Sequence, residues 1–95
     1  MRLYEFDRNG VRELVFAEDR ENLYDVLGDN CGTTAEVAAD FGMNLRKYHD
    51  AWRELPPDER VSLPGFDDVE TRTVAEWIAR HGDDRGSGLF YSTEV

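Results

Sequence analysis

The sequence predicts a single α+β domain in which an N-terminal β-hairpin and a small antiparallel sheet pack with three or four short helices. An Asn-Gly pair at residues 9 and 10 separates two runs rich in β-branched and aromatic residues, as in a tight hairpin. Two Thr-x-x-Glu segments, at residues 33–36 and 73–76, have the capping-box spacing that opens helices. Residues 89–95 alternate in the manner of a final strand. A chain of 95 residues has the length of one domain.

The predicted hairpin covers residues 3–16, and its turn contains the Asn-Gly pair. Side chains alternate between the two faces of a strand. Tyr4 and Phe6 should therefore share one face of the first strand, and Leu14 and Phe16 one face of the second. We expect this hairpin to join the later strands, at 61–63 and 89–95, in one sheet.

Helices are predicted where apolar residues recur at helical spacing between start and stop signals. Their approximate ranges are 20–27, 34–41, 45–55 and 74–81. Pro56 and Pro57 should close the third helix, and Gly82 should lie just past the fourth, before a polar loop. The large apolar side chains expected to anchor the core are Leu27, Phe41, Trp52 and Trp77.

Negative charge dominates the composition. The chain has 21 acidic and 11 basic residues and a net charge of −10. Such a field repels nucleic acid and membrane surfaces and attracts basic partners. The alternative interpretation is that the acidity reflects genome composition or keeps the chain in solution without serving a binding role.

Several acidic residues fall on predicted turns, where their side chains would project into water. Residues 56–95 contain nine acids and four bases. Carboxylates held by a small rigid domain can imitate the phosphates of DNA and occupy a nucleic-acid-binding groove on another protein. The partner-binding residues predicted on this basis are Asp58, Glu59, Asp67, Asp68, Glu70, Asp83 and Asp84.

Residues 33–55 resemble the helix-turn-helix of bacterial and archaeal regulators. Ala38 is the small residue required where the second helix crosses, and Gly42 supplies the turn. The resemblance implies that the second helix contacts nucleic acid through Asn44, Arg46, Lys47 and His49. A plain αα-hairpin has similar spacing, and residues 29–55 hold five acids against three bases, which disfavours contact with phosphates.

The C-terminal segments 71–79 and 88–94 resemble the end of small uncharacterised proteins encoded by phages. This resemblance implies a host-takeover or anti-defence role, such as inhibition of a CRISPR or restriction complex. The sequence therefore predicts a non-enzymatic acidic binding protein that engages a basic nucleic-acid-handling host or defence protein, with DNA mimicry as one mode of binding. The alternative is a small helix-turn-helix transcriptional regulator that uses residues 33–55.

Catalytic, metal and membrane functions find little support in the residue pattern, and a metabolic-type enzyme is the third and least favoured interpretation. Cys31 is the single cysteine, and no Cys/His pair has zinc-ligand spacing. His49 and His81 are isolated, and the segment 86–88 is too short for a phosphate-binding loop. No stretch approaches the length of a membrane span. We expect no cofactor, no metal, no membrane partner and a cytoplasmic location, in which a lone cysteine stays reduced.

Overall fold

Two antiparallel sheets are present in the computed structural model, which describes residues 1–8, 10–30, 35–65 and 68–93. The strands are β1 (Arg2–Arg8), β2 (Val11–Ala17), β3 (Arg53–Glu54), β4 (Arg60–Pro64), β5 (Val69–Thr73) and β6 (Gly88–Ser92). The larger sheet has the strand order β3-β1-β2-β6, and β4 pairs with β5 in the smaller one.

The helices are short, and two of them continue into a wider π-helical turn. They are α1 (Arg20–Asp25), continued by Val26–Asn30, α2 (Ala35–Asp40), α3 (Leu45–Asp50), and α4 (Val74–Trp77), continued by Ile78–Gly82 into α5 (Asp83–Arg85). Together with the hairpin of β1 and β2, these helices confirm the predicted α+β class.

The hairpin register leaves two residues between the paired strand ends. Arg8 lies opposite Val11, and Gly10 adopts a φ of +79°, which is the left-handed conformation that glycine permits without a steric cost. Asn9, the other residue of the predicted turn, lies outside the described residues.

Both faces of the hairpin are buried, so the core has two halves. On one face, Tyr4 and Phe6 pack with residues of α1, α2 and α3. On the other face, Leu14 and Phe16 pack with β4 and α4. The molecule therefore has three layers: a helix layer of α1–α3, the four-stranded sheet, and a layer of the β4–β5 hairpin with α4. All four residues 14–17 are buried because both faces of the strand are covered.

The last strand joins the hairpin sheet as predicted, because β6 pairs with β2. The prediction is wrong for residues 61–63, because β4 and β5 form a sheet of their own on the face opposite the helix layer. The predicted helix 45–55 is also too long. α3 ends at Asp50, and the chain then runs as β3 beside β1, where the Leu55 amide donates to the Leu3 carbonyl at 2.9 Å. Trp52 belongs to the helix-side core and Leu55 to the opposite core, so the chain must pass the sheet edge between them.

The last predicted helix has the expected start but a different end. Thr73 and Glu76 form the predicted capping box, in which each side chain satisfies the other residue's backbone amide. The helix does not stop at Gly82, and residues 83–85 continue it. A Cβ on Gly82 would lie 3.1 Å from the Phe16 ring, so this glycine serves close packing against the sheet. The other predicted box, at residues 33–36, begins outside the described residues.

Both tryptophans are buried as predicted, but their indole nitrogens differ in hydrogen bonding. Leu27 is also buried, whereas Phe41 is half-buried. Trp77 Nε1 donates to the Val61 carbonyl oxygen at 3.0 Å. Trp52 Nε1 has no hydrogen-bond partner among the described residues. An unpaired buried donor reduces the net stability that its side chain contributes.

This difference predicts unequal effects of the same substitution at the two sites. Trp77→Phe should lower the free energy of unfolding by about 1 kcal/mol more than Trp52→Phe, because only Trp77→Phe removes a made hydrogen bond. Urea denaturation of both variants and of the parent chain measures the difference. An equal or larger loss of unfolding free energy in Trp52→Phe would contradict the conclusion that only the Trp77 indole nitrogen has a hydrogen-bond partner.

Candidate partner-binding surface

Six of the seven predicted partner-binding acids belong to the described residues, and these six do not converge on one patch. Asp58 lies just before β4, and Asp68 lies at the opposite end of the β4–β5 hairpin, just before β5. Five strand residues separate these ends by about 16 Å. Asp83 and Asp84 are exposed in α5. Asp67 lies outside the described residues.

Two of the predicted acids, Glu59 and Glu70, form ion pairs with arginines of the same chain. Glu59 accepts hydrogen bonds from both terminal nitrogens of Arg53, at 3.1 and 3.2 Å. Glu70 accepts from Arg72 Nε at 2.6 Å and lies 3.5 Å from Arg80 Nη1. Exposed ion pairs of this kind add little to stability, but they weaken the local negative field.

The ion pairs of the described residues lie in the four-stranded sheet and in the layer formed by the β4–β5 hairpin and α4, which we call the strand layers. Their arginines belong to residues 2–12 and 53–80. No carboxylate of α1, α2 or α3 takes part in one of these pairs. The arginine within α1, Arg20, donates instead to the carbonyl oxygens of His49 and Trp52, at 3.3 and 2.9 Å.

α1 and α2 share an arrangement that directs acids outward. Leu23 is the buried residue of α1, and Glu21 and Asp25 lie two positions before and after it. At 3.6 residues per turn, both acids point about 160° away from the buried side. Glu36 and Asp40 flank the buried Ala38 of α2 in the same way. We name these four exposed acids, Glu21, Asp25, Glu36 and Asp40, the helix-layer carboxylates.

Sequence reasoning missed the helix-layer carboxylates because it compared net charge between segments and favoured residues after 56. A usable signal was present. Glu21 and Asp25, like Glu36 and Asp40, are four residues apart within predicted helices, which places them side by side on one helix face. Sequence alone did not show that the arginines of the other layers would pair elsewhere.

The four residues predicted to contact nucleic acid have different roles. Asn44 caps α3, and its Oδ1 accepts from the Lys47 amide at 2.8 Å. His49 stacks on Tyr24, with ring centroids 4.4 Å apart. Arg46 and Lys47 are exposed. Gly42, with φ +71°, forms the turn before α3 as the motif requires, and within the described residues α2 and α3 have six residues each.

The described residues contain no cluster of three or more His, Cys, Asp or Glu side chains that could hold a metal ion. None of the helices described here combines the length and the apolar character that a membrane crossing needs. No protein-family model matches the chain, and comparisons with curated proteins and with solved structures find no match either.

The His49 side chain makes the free energy of unfolding depend on pH. Partial burial against Tyr24 lowers its pKa, and the negative charge of Asp50 raises it in part. The folded-state pKa therefore lies below the unfolded value of about 6.5. The unfolded chain binds the proton first, so stability falls as pH decreases through the unfolded pKa and levels off below the folded one.

His49→Phe should remove this contribution of His49 to the pH dependence of stability, and it keeps an aromatic ring stacked on Tyr24. We expect the free energy of unfolding of the parent chain to fall more steeply than that of the variant between about pH 7.5 and 5.5. Chemical denaturation at a series of pH values measures both slopes, and the comparison cancels the titration of the carboxylates. Parallel slopes would show that His49 is not desolvated.

Proposed function

We propose that this chain is a non-enzymatic binding protein whose helix layer engages a basic, nucleic-acid-handling protein. The observation that carries the proposal is that the layers differ in the ion pairing of their carboxylates. Five glutamates outside the helix layer, Glu5, Glu54, Glu59, Glu70 and Glu76, pair with arginines. The four helix-layer carboxylates are exposed and have no ion-pair partner among the described residues. Unpaired charge of one sign on one face accelerates the approach of an oppositely charged surface.

The spacing of these acids supports a role outside the chain. Like charges four residues apart destabilise a helix by about 0.2–0.5 kcal/mol per pair. α1 and α2 each contain such a pair, Glu21 with Asp25 and Glu36 with Asp40. A basic partner offsets this repulsion when it binds, so the arrangement favours the complex over the free chain.

The DNA-binding alternative draws on two exposed cations, Arg46 and Lys47. Residues 18–50 carry eight acids and three bases, and one of those bases, Arg20, is engaged in hydrogen bonds within the fold. A duplex-binding surface normally presents a basic stripe that neutralises several phosphates. The anti-defence role implied by the C-terminal resemblance is a special case of the proposal, in which carboxylates take the place of phosphates.

The double substitution Asp25→Lys and Asp40→Lys separates partner binding from stability. Each change replaces a like-charge pair by a Glu–Lys pair in the favourable order, so the free energy of unfolding should rise by about 1 kcal/mol in total. Association with the partner should slow by about tenfold or more at low salt. The partner is captured from cell lysate on the immobilised parent chain and purified, and association rates are then compared at several salt concentrations.

Asp83→Lys with Asp84→Lys is the matched control, because these acids are exposed, lack an ion-pair partner among the described residues and follow the helix that packs on the other face. Each Asp→Lys substitution changes the charge by +2, so both double variants carry −6 instead of −10. Equal slowing in both would assign the effect to net charge alone. Failure of the parent chain to retain any basic protein at low salt would refute the proposed function.

A further inference from the structure

A concavity of about 410 Å³ lies between the end of β1 and the turn that joins α2 to α3. It combines charged and apolar side chains from three separate segments. The lining side chains that matter here are Arg8, Phe41, Met43, Lys47, Asp50 and Ala51. Its volume falls within the range of about 300–1,000 Å³ typical of small-molecule sites.

The concavity has two cations among its lining residues. Arg8 and Lys47 are exposed, and neither side chain forms an ion pair or hydrogen bond with another described residue. Arg12 and Arg53, by contrast, each pair with a carboxylate. Two unpaired cations lining one concavity favour an anion there, although the chain as a whole carries −10.

The apolar part of the concavity is held in place by the core. The Phe41 ring contacts the buried Phe6 ring edge-on, with centroids 5.1 Å apart and an interplanar angle of 77°. Met43 is half-buried, and its amide donates to the Ala38 carbonyl at 3.2 Å, which fixes the chain after α2. A ring positioned in this way is available to pack against a flat or apolar ligand without reordering.

We propose that this concavity binds a small organic anion. Arg8 and Lys47 hold its carboxylate or phosphate, and Phe41 and Met43 contact its apolar or aromatic body. Asp50 lines the same space and repels the anion, which limits affinity. The site shares no residue with the helix-layer carboxylates, so it stands independently of the proposed protein partner.

Lys47 also belongs to the predicted nucleic-acid-binding residues, and Arg46 distinguishes the two interpretations. A duplex lying on α3 contacts the neighbouring cations Arg46 and Lys47 together. The concavity is lined by Lys47 and Arg8 and not by Arg46. Arg46→Ala is therefore a matched control, since it removes an exposed cation from the same helix and leaves the concavity intact.

Phenyl phosphate is the probe, titrated into the ¹⁵N-labelled chain at low salt and followed by amide chemical shifts. We expect shifts centred on residues 8, 41–43 and 47–51, and weaker binding by both inorganic phosphate and benzyl alcohol. Arg8→Ala and Lys47→Ala should each raise Kd about fivefold or more, because each removes a charged contact, and Arg46→Ala should leave Kd within about twofold. Asp50→Asn should lower Kd, because it removes a like charge from the site.

Several results would overturn the proposal. No shift at these amides with millimolar phenyl phosphate would show that the concavity is not a binding site. Equal weakening by Arg46→Ala would indicate general attraction to α3. Equal affinity for inorganic phosphate would contradict the role of Phe41 and Met43, and weaker binding in Asp50→Asn would contradict an anionic ligand.

Discussion

The burial of the β1–β2 hairpin on both faces is the constraint from which the rest of the structure follows. Tyr4 and Phe6 face one side, and Leu14 and Phe16 the other, because strand side chains alternate. An isolated hairpin is marginally stable in water, so each apolar face requires a covering layer. The segment before β3 supplies the helix layer, and the segment after it supplies the β4–β5 hairpin and α4.

The path of the chain between these two layers also affects which charged side chains remain unpaired. At the sheet edge, Arg20 places its guanidinium 5.5 Å from the centroid of the Tyr4 ring and donates to the carbonyls of His49 and Trp52. These contacts hold the chain where α3 ends, and they turn the one cation of α1 inward. The acids of α1 and α2 have no ion-pair partner among the described residues, so the contacts of Arg20 at the sheet edge contribute to the charge imbalance of the helix layer.

Local chemistry made the hairpin, the fold class and the capping box at Thr73 predictable. The features that were predicted wrongly or not at all depend on contacts between segments that are distant in sequence. The helical spacing that includes Tyr48, Trp52 and Leu55 continues past Asp50, and periodicity alone does not reveal that Leu55 is buried in the opposite core. β5 was not predicted because most of its residues are polar and its pairing with β4 depends on the third layer. Arg8 and Lys47 come together only through the fold, so no local pattern indicates their shared concavity.

The rotation of each short helix separates the two candidate surfaces. One buried residue at the centre of each helix, Leu23, Ala38 or Tyr48, sets which residues point outward. In α1 and α2 the outward residues are both acidic. In α3 they are Arg46 and Asp50, so the outward surface of that helix is close to neutral, and Lys47 lies to one side at the concavity. The core therefore determines the pattern of surface charge: the same packing that stabilises a small domain presents a negative field on two helices and leaves unpaired cations beside them.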